Sequence, residues 1–269
     1  MNNSKFKHIL FGEPFPTSMA IHERLDKVRG LAIFASDPIS SNAYATEAVM
    51  SILIVIGSGA LSMTMPIVMA IAALVLIVVF SYIQTILHYP KGGGSYIVAK
   101  DNLGTLPSLI AAGALLTDYS LTVSVSVSAG IRAIVSAFPE IYDYRVLLAL
   151  GTIAILTWMN LRGVRESGSV FAFPTYAFIG GVFLVIMIGL VRSFGLFGVS
   201  PLAPQVITGE MLTEDLTQLG MIWILLRAFA AGCTALTGIE AISDGVQAFK
   251  PPEAKNAAQT MVTMGVIAM

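Results

Sequence analysis

Three acidic residues lie where hydrophobic side chains surround them, and they are the residues of this chain best placed to do chemistry. Asp37 sits in Ser36-Asp-Pro-Ile-Ser-Ser-Asn-Ala-Tyr44, Asp118 in Leu116-Thr-Asp-Tyr-Ser-Leu-Thr122, and Glu240 in Thr234-Ala-Leu-Thr-Gly-Ile-Glu240. A carboxylate at the centre of a membrane helix costs roughly 2.5 to 3.5 kcal/mol, so three unpaired ones would cost roughly 8 to 10 kcal/mol. Only Arg132 and Arg227 lie in comparable surroundings. A bound cation or shared protons would offset the cost. The accompanying hydroxyls are hard oxygen donors, which suit alkali cations or magnesium better than soft metals.

Local sequence around two of these acids predicts interrupted helices. Pro38 removes a backbone N–H and disfavours helix at the residue before it, so the first segment reads as a broken helix with Asp37 at the break. Freed carbonyls beside a carboxylate make a natural cation site. Gly238, two residues before Glu240, predicts a second break. Each acid also has a structural reading. Asp37 could cap the half-helix that follows it, and Glu240 could pair with Arg227 or Arg132. Asp244 falls nearer the end of its segment and reads as solvated, while Glu47 has no assigned role.

On the third segment Asp118, Thr122 and Ser126 recur every four residues and share one helical face. Ser120, Ser124 and Ser128 form a second row about 200° away. That second row reads as small residues for close helix packing. The acid-bearing face is harder to explain as packing.

The elements that must position these groups are membrane helices. The chain is 56% hydrophobic and 12% charged, about half the charged fraction of soluble domains. Its apolar runs reach the length of about 20 residues needed to cross a bilayer. Spans are predicted at 31–57, 65–88, 107–136, 146–160, 170–191 and 219–248, with a seventh opening near 258. Residues 1–30 read as a cytoplasmic segment and 31–269 as a transmembrane transporter domain. The final apolar run is too short to span, so the domain reads as the front part of a longer one. With the N-terminus inside, eleven of the fifteen Lys and Arg fall on the cytoplasmic side: Lys5, Lys7, Arg24, Lys27, Arg29, Lys91, Lys100, Arg162, Arg165, Lys250 and Lys255. The positive-inside rule favours that orientation.

Other classes fit poorly. Net charge is −1, which gives no basic surface for nucleic acid. A lone Cys233 allows no disulfide framework, and His8, His22 and His88 form no ligand cluster. The loop Pro90-Lys-Gly-Gly-Gly-Ser-Tyr96 lacks the ending of a phosphate loop and reads as a hinge or gate between spans 2 and 3. No nucleophile–base pair suggests an enzyme, and no cofactor is expected. Two broken helices separated by four unbroken ones suggest inverted repeats with a substrate site near the midplane.

The motifs at 90–96, Thr237-Gly-Ile-Glu240 and Lys250-Pro-Pro-Glu-Ala-Lys-Asn256 resemble the amino acid–polyamine–organocation superfamily. The motifs at 36–44 and 116–122 narrow the resemblance to KimA-type potassium importers. The resemblance implies an all-α polytopic membrane protein with a LeuT-like inverted-repeat transporter fold, broken in helices 1 and 6 and here truncated in span 7. It implies a potassium site built from Asp37, Tyr44, Asp118, Tyr119, Thr237 and Glu240. Thr122 and Ser126 join that set from the helical-face argument. It further implies proton-coupled potassium uptake, homodimers in the cytoplasmic membrane, and a cytosolic cyclic di-AMP domain that is absent here. Glu240 is the expected proton acceptor, because neighbouring carboxylates cannot all stay ionised in one site.

The residues themselves leave other substrates open. Amino-acid transporters of this fold usually place bare N–H groups at the first break to receive a carboxylate. An anion there disfavours amino acids. Polyamines and divalent cations are alternatives, as is a membrane sensor that binds its ion without moving it.

Overall fold

The computed structural model describes residues 24–161, 164–198 and 217–269. These are almost entirely helical, and six of the helices are long and apolar enough to cross a membrane: Ser36–Ile56, Ser58–His88, Thr105–Ala137, Pro139–Asn160, Val170–Phe194 and Gln218–Asp244. They match the predicted spans in order and approximate length. The all-α polytopic reading of the sequence is therefore the observed architecture.

The first span has two parts. Helix α1 (Lys27–Phe34) starts ahead of the hydrophobic run, with the Asp26 side chain accepting from the Arg29 N–H at its N-terminus. Helix α2 (Ser36–Leu53) follows after a bend at Ala35. Helix α3 (Thr64–His88) forms the second span. The short α4 (Gly94–Leu103) then leads into α5 (Thr105–Ala137), α6 (Arg145–Asn160) and α7 (Val164–Phe194). The sixth span comprises α8 (Gln218–Gly232), a tight turn at Cys233–Leu236 and the single-turn α9 (Ala241–Asp244). Helix α10 (Glu253–Ala268) opens the seventh.

Burial divides these helices into two groups. Val49 and Leu53 of α2, Ile71 and Val75 of α3, Ala228 of α8, Ile242 of α9 and Met261 and Met264 of α10 form one buried apolar core. Spans 1, 2, 6 and 7 therefore pack as a bundle. Helices α5, α6 and α7 keep most of their large hydrophobic residues exposed, as a bilayer-facing helix would. They meet the bundle mainly where α7 packs on α1. Two hydrogen bonds fix that contact, from Thr175 Oγ1 to the Ala32 carbonyl at 3.3 Å and from the Tyr176 hydroxyl to the Val28 carbonyl at 2.8 Å.

Candidate functional site

The first break is milder than the sequence predicts. Ala35 keeps right-handed helical dihedrals, φ −96° and ψ −6°. Its N–H bonds to the Leu31 carbonyl at 2.9 Å, and its carbonyl accepts from the Ile39 N–H at 3.1 Å. The chain bends without unwinding. Pro38, inside the first turn of α2, cannot donate to the carbonyl one turn earlier, that of Phe34. The Ser36 hydroxyl meanwhile covers the Ile33 carbonyl at 3.0 Å. Asp37 therefore sits in the opening turn of the second half-helix, next to the bend. It does not cap that helix either: the capping position is Ala35, with no side-chain bond.

The second break is a true interruption. After Leu236, Thr237 is extended at φ −67° and ψ 136°, and Gly238 takes φ +84°. Helix resumes only at Ala241, with Glu240 immediately before it. Gly238 is required twice over. Its φ is one that a side chain makes costly, and a Cβ there would stand 2.6 Å from Asp37 Oδ2. The carboxylate of span 1 thus rests on the bare backbone of the span-6 break. That contact joins the two predicted interruptions.

From Asp37 a chain of hydroxyls runs to span 3. The Ser41 hydroxyl lies 3.3 Å from Asp37 Oδ1 and 2.9 Å from the Tyr44 hydroxyl, which lies 3.1 Å from Ser126 Oγ. Ser41 is fully buried. Sequence reasoning missed it, although it stands one helical turn after Asp37 and the spacing rule applied to span 3 would have found it. Asp118, Thr122 and Ser126 share a face as expected: Thr122 is buried and the other two are half-buried.

The second serine row faces outward among the described residues. Ser120, Ser124 and Ser128 are exposed, and each hydroxyl bonds back to the carbonyl four residues earlier, at 2.9, 3.0 and 2.7 Å. Among the described residues nothing packs closely on that row.

Glu240 is buried at 7% exposure, and its Oε1 has no hydrogen-bond partner among the described residues. Asp118, Asp244 and Asp37 all lie within Coulombic range of it. The predicted alternative, an ion pair to Arg227 or Arg132, is not formed, and both arginines are exposed. The carboxylates do not converge to ligating distance on a single point. The arrangement is an acidic cluster in which hydroxyls bond Asp37, through Ser41, and Asp244, through Tyr119.

Asp244 corrects a second expectation. It is half-buried rather than solvated: Oδ2 accepts from the Tyr119 hydroxyl at 2.8 Å, and Oδ1 is buried without a partner. Tyr119 is thereby drawn toward the end of span 6, away from the Asp37 contact. The glycine-rich loop closes over the same residue. The Gly93 N–H donates to the Asp244 carbonyl at 3.2 Å. Gly92 and Gly94 have positive φ, and a Cβ on either would run into Asp244, on the backbone carbonyl and on Oδ1 respectively. Gly92 and Gly94 are needed because the loop lies directly on span 6, whereas a Cβ on Gly93, at φ +94°, would meet Ile97 of α4. The i+4 spacing of Asp244 from Glu240 was the available signal. Glu47 is exposed and lines a cleft of about 430 Å³ with Ser40, Tyr44, Ser126 and Thr175.

Residues 28–269 match the amino acid permease family. The chain belongs to that family. This permease is also 42% identical over 268 residues to the potassium transporter KimA of Bacillus subtilis (strain 168). The match covers 97% of this chain and 42% of that protein, so the permease spans less than half the length of the curated relative. Family and relative are both transporters, in keeping with the multi-pass helical architecture.

Proposed function

We propose that the full-length protein imports potassium across the cytoplasmic membrane by proton-coupled symport. The observation that carries this reading is the seat of Asp37 on the Gly238 break, beside the unpartnered oxygen of Glu240. An anion at the join of two interrupted helices suits a cation and repels a carboxylate substrate. The potassium transporter among its relatives supports the choice of ion. Oxygens of Asp37, Tyr44, Asp118, Tyr119, Thr122, Ser126, Thr237 and Glu240 replace the ion's water as it passes. Asp37 and Asp118 supply the charge.

Glu240 takes the coupled proton. It is the most deeply buried of the acids in this cluster, and its Oε1 has no hydrogen-bond partner among the described residues. The bundle of spans 1, 2, 6 and 7 rocks against span 3 and its neighbours, alternately exposing the site to the two sides. The N-terminus is cytoplasmic in this reading, and the protein works as a homodimer.

The test is uptake of radioactive rubidium by cells that lack other potassium importers and express the full-length protein. Growth rescue and uptake that Asp37→Asn abolishes, at equal membrane abundance, are the expected result. A well-expressed wild type that rescues neither would overturn the reading. Glu240→Gln separates the proton from the ion: in liposomes it should retain rubidium exchange while losing uptake driven by a proton gradient. Gradient-driven uptake that survives the substitution would remove Glu240 from its role.

A further inference from the structure

A cleft of about 670 Å³ opens at the start of span 1, between α1, α7, α10 and the end of α3. Two kinds of residue line it, and they are separated by depth. Lys27 is the first residue of α1 and Lys255 lies in the first turn of α10, so both ammonium groups stand at helix ends. Below them the wall is aliphatic, with Leu31, Leu87 and Val262 among its residues. A polar rim above an apolar wall, at the end of membrane helices, matches the shape and polarity of a phospholipid. The headgroup would lie level with the lysines and an acyl chain would run down the wall.

Charge decides which phospholipid. No acidic residue lines the cleft. Of the acids beside these lysines in sequence, Glu253 is paired with Arg24, while Asp26 accepts from the Arg29 backbone N–H at 2.8 Å and keeps its charge. Lys27 gives one N–H to Gln259 Oε1 at 3.0 Å and keeps two, while Lys255 has no hydrogen-bonded partner among the described residues. The polar side chains of the wall offer little competition. The Tyr176 hydroxyl donates to the Val28 carbonyl, and the Thr260 and Thr263 hydroxyls donate to carbonyls of their own helix. The free donors at the rim are the two ammonium groups and the Gln259 amide beside them, and basic pockets between helix ends select anionic headgroups.

We propose that this cleft binds an anionic phospholipid, its phosphate held between Lys27 and Lys255 and a chain against Leu31, Leu87 and Val262. The site abuts α1 where Tyr176 and Thr175 tie it to α7. An occupied cleft braces the cytoplasmic half of span 1, the half that must move if the bundle rocks. Binding itself depends only on the membrane placement of the chain and stands apart from the choice of transported ion.

The test titrates the full chain, solubilised in neutral detergent, with phosphatidylglycerol or phosphatidylcholine and counts retained lipid by native mass spectrometry. Each lysine near an anionic headgroup contributes a factor of about 5 in affinity, so the pair predicts a preference for phosphatidylglycerol of about 30-fold. K27Q/K255Q should lose it and K27R/K255R should keep it, with unchanged circular dichroism in both. Equal retention of the two lipids by wild type would overturn the proposal. So would a preference untouched by the double glutamine variant. Displacement of phosphatidylglycerol by soluble glycerol phosphate would also overturn it, by assigning the site to free phosphate.

Discussion

The interruptions in spans 1 and 6 look alike in sequence and are built differently. Span 1 divides at Ala35 into two helices that two backbone hydrogen bonds still bridge, and its chemical content is a side chain, Asp37. Span 6 unwinds at Thr237–Gly238, and its content there is bare backbone. The two are complementary: the carboxylate of one occupies the space that the missing Cβ of the other leaves. A proline in the first turn of a helix costs little because that turn's N–H groups have no intrahelical partners. A glycine at φ +84° permits a conformation that other residues resist. The lesson is that a buried charge and an unwound backbone need not sit on the same helix to form one site.

The comparison makes span 6 the less tolerant partner. Gly238→Ala should have the largest effect. Its φ alone costs about 1 to 2 kcal/mol for a residue with a Cβ, and the new methyl would displace the Asp37 carboxylate. Loss of rubidium uptake and a lowered melting temperature are expected. Wild-type uptake by this variant would mean that Asp37 does not need its seat on span 6.

Ser41→Ala comes next. It removes the hydroxyl that joins Asp37 to Tyr44 and leaves the Tyr44–Ser126 contact in place. With about 1 kcal/mol for each of the two hydrogen bonds, the apparent KM for rubidium should rise about 5- to 30-fold while abundance is unchanged. An unchanged KM would make the hydroxyl chain packing only.

Pro38→Ala should have the smallest effect. It returns an N–H that can reach the Phe34 carbonyl, in a segment that is already helical on both sides of the bend. A stability change under about 1 kcal/mol and nearly normal uptake are expected. Abolished uptake would show that the free Phe34 carbonyl is itself a ligand, which would make the two breaks more alike than they look.

Much of this was legible before folding. The long apolar runs fixed the number and order of spans, because a bilayer demands about 20 helical residues whatever they later touch. The shared face of Asp118, Thr122 and Ser126 followed from helical periodicity alone. Gly238 was recognised as a break because glycine weakens a helix and exposes its backbone carbonyls. In each case the cause lies within a few residues of its effect.

What the sequence left open at Asp37, and misread at Asp244, has the opposite character. Whether a proline bends or unwinds a helix depends on how neighbouring groups cover the freed carbonyls. Asp244 lies near the end of its span, yet Tyr119 from span 3 and the Gly92–Gly94 loop fold over it. Ser120, Ser124 and Ser128 are exposed among the described residues, so their neighbours are not decided by local pattern. Sequence by itself determined which residues are unusual enough to carry chemistry, since composition and periodicity are local properties. Only the tertiary structure decided which of them meet. The Asp37–Gly238 and Tyr119–Asp244 contacts join segments more than a hundred residues apart, and local pattern carries no information about that distance.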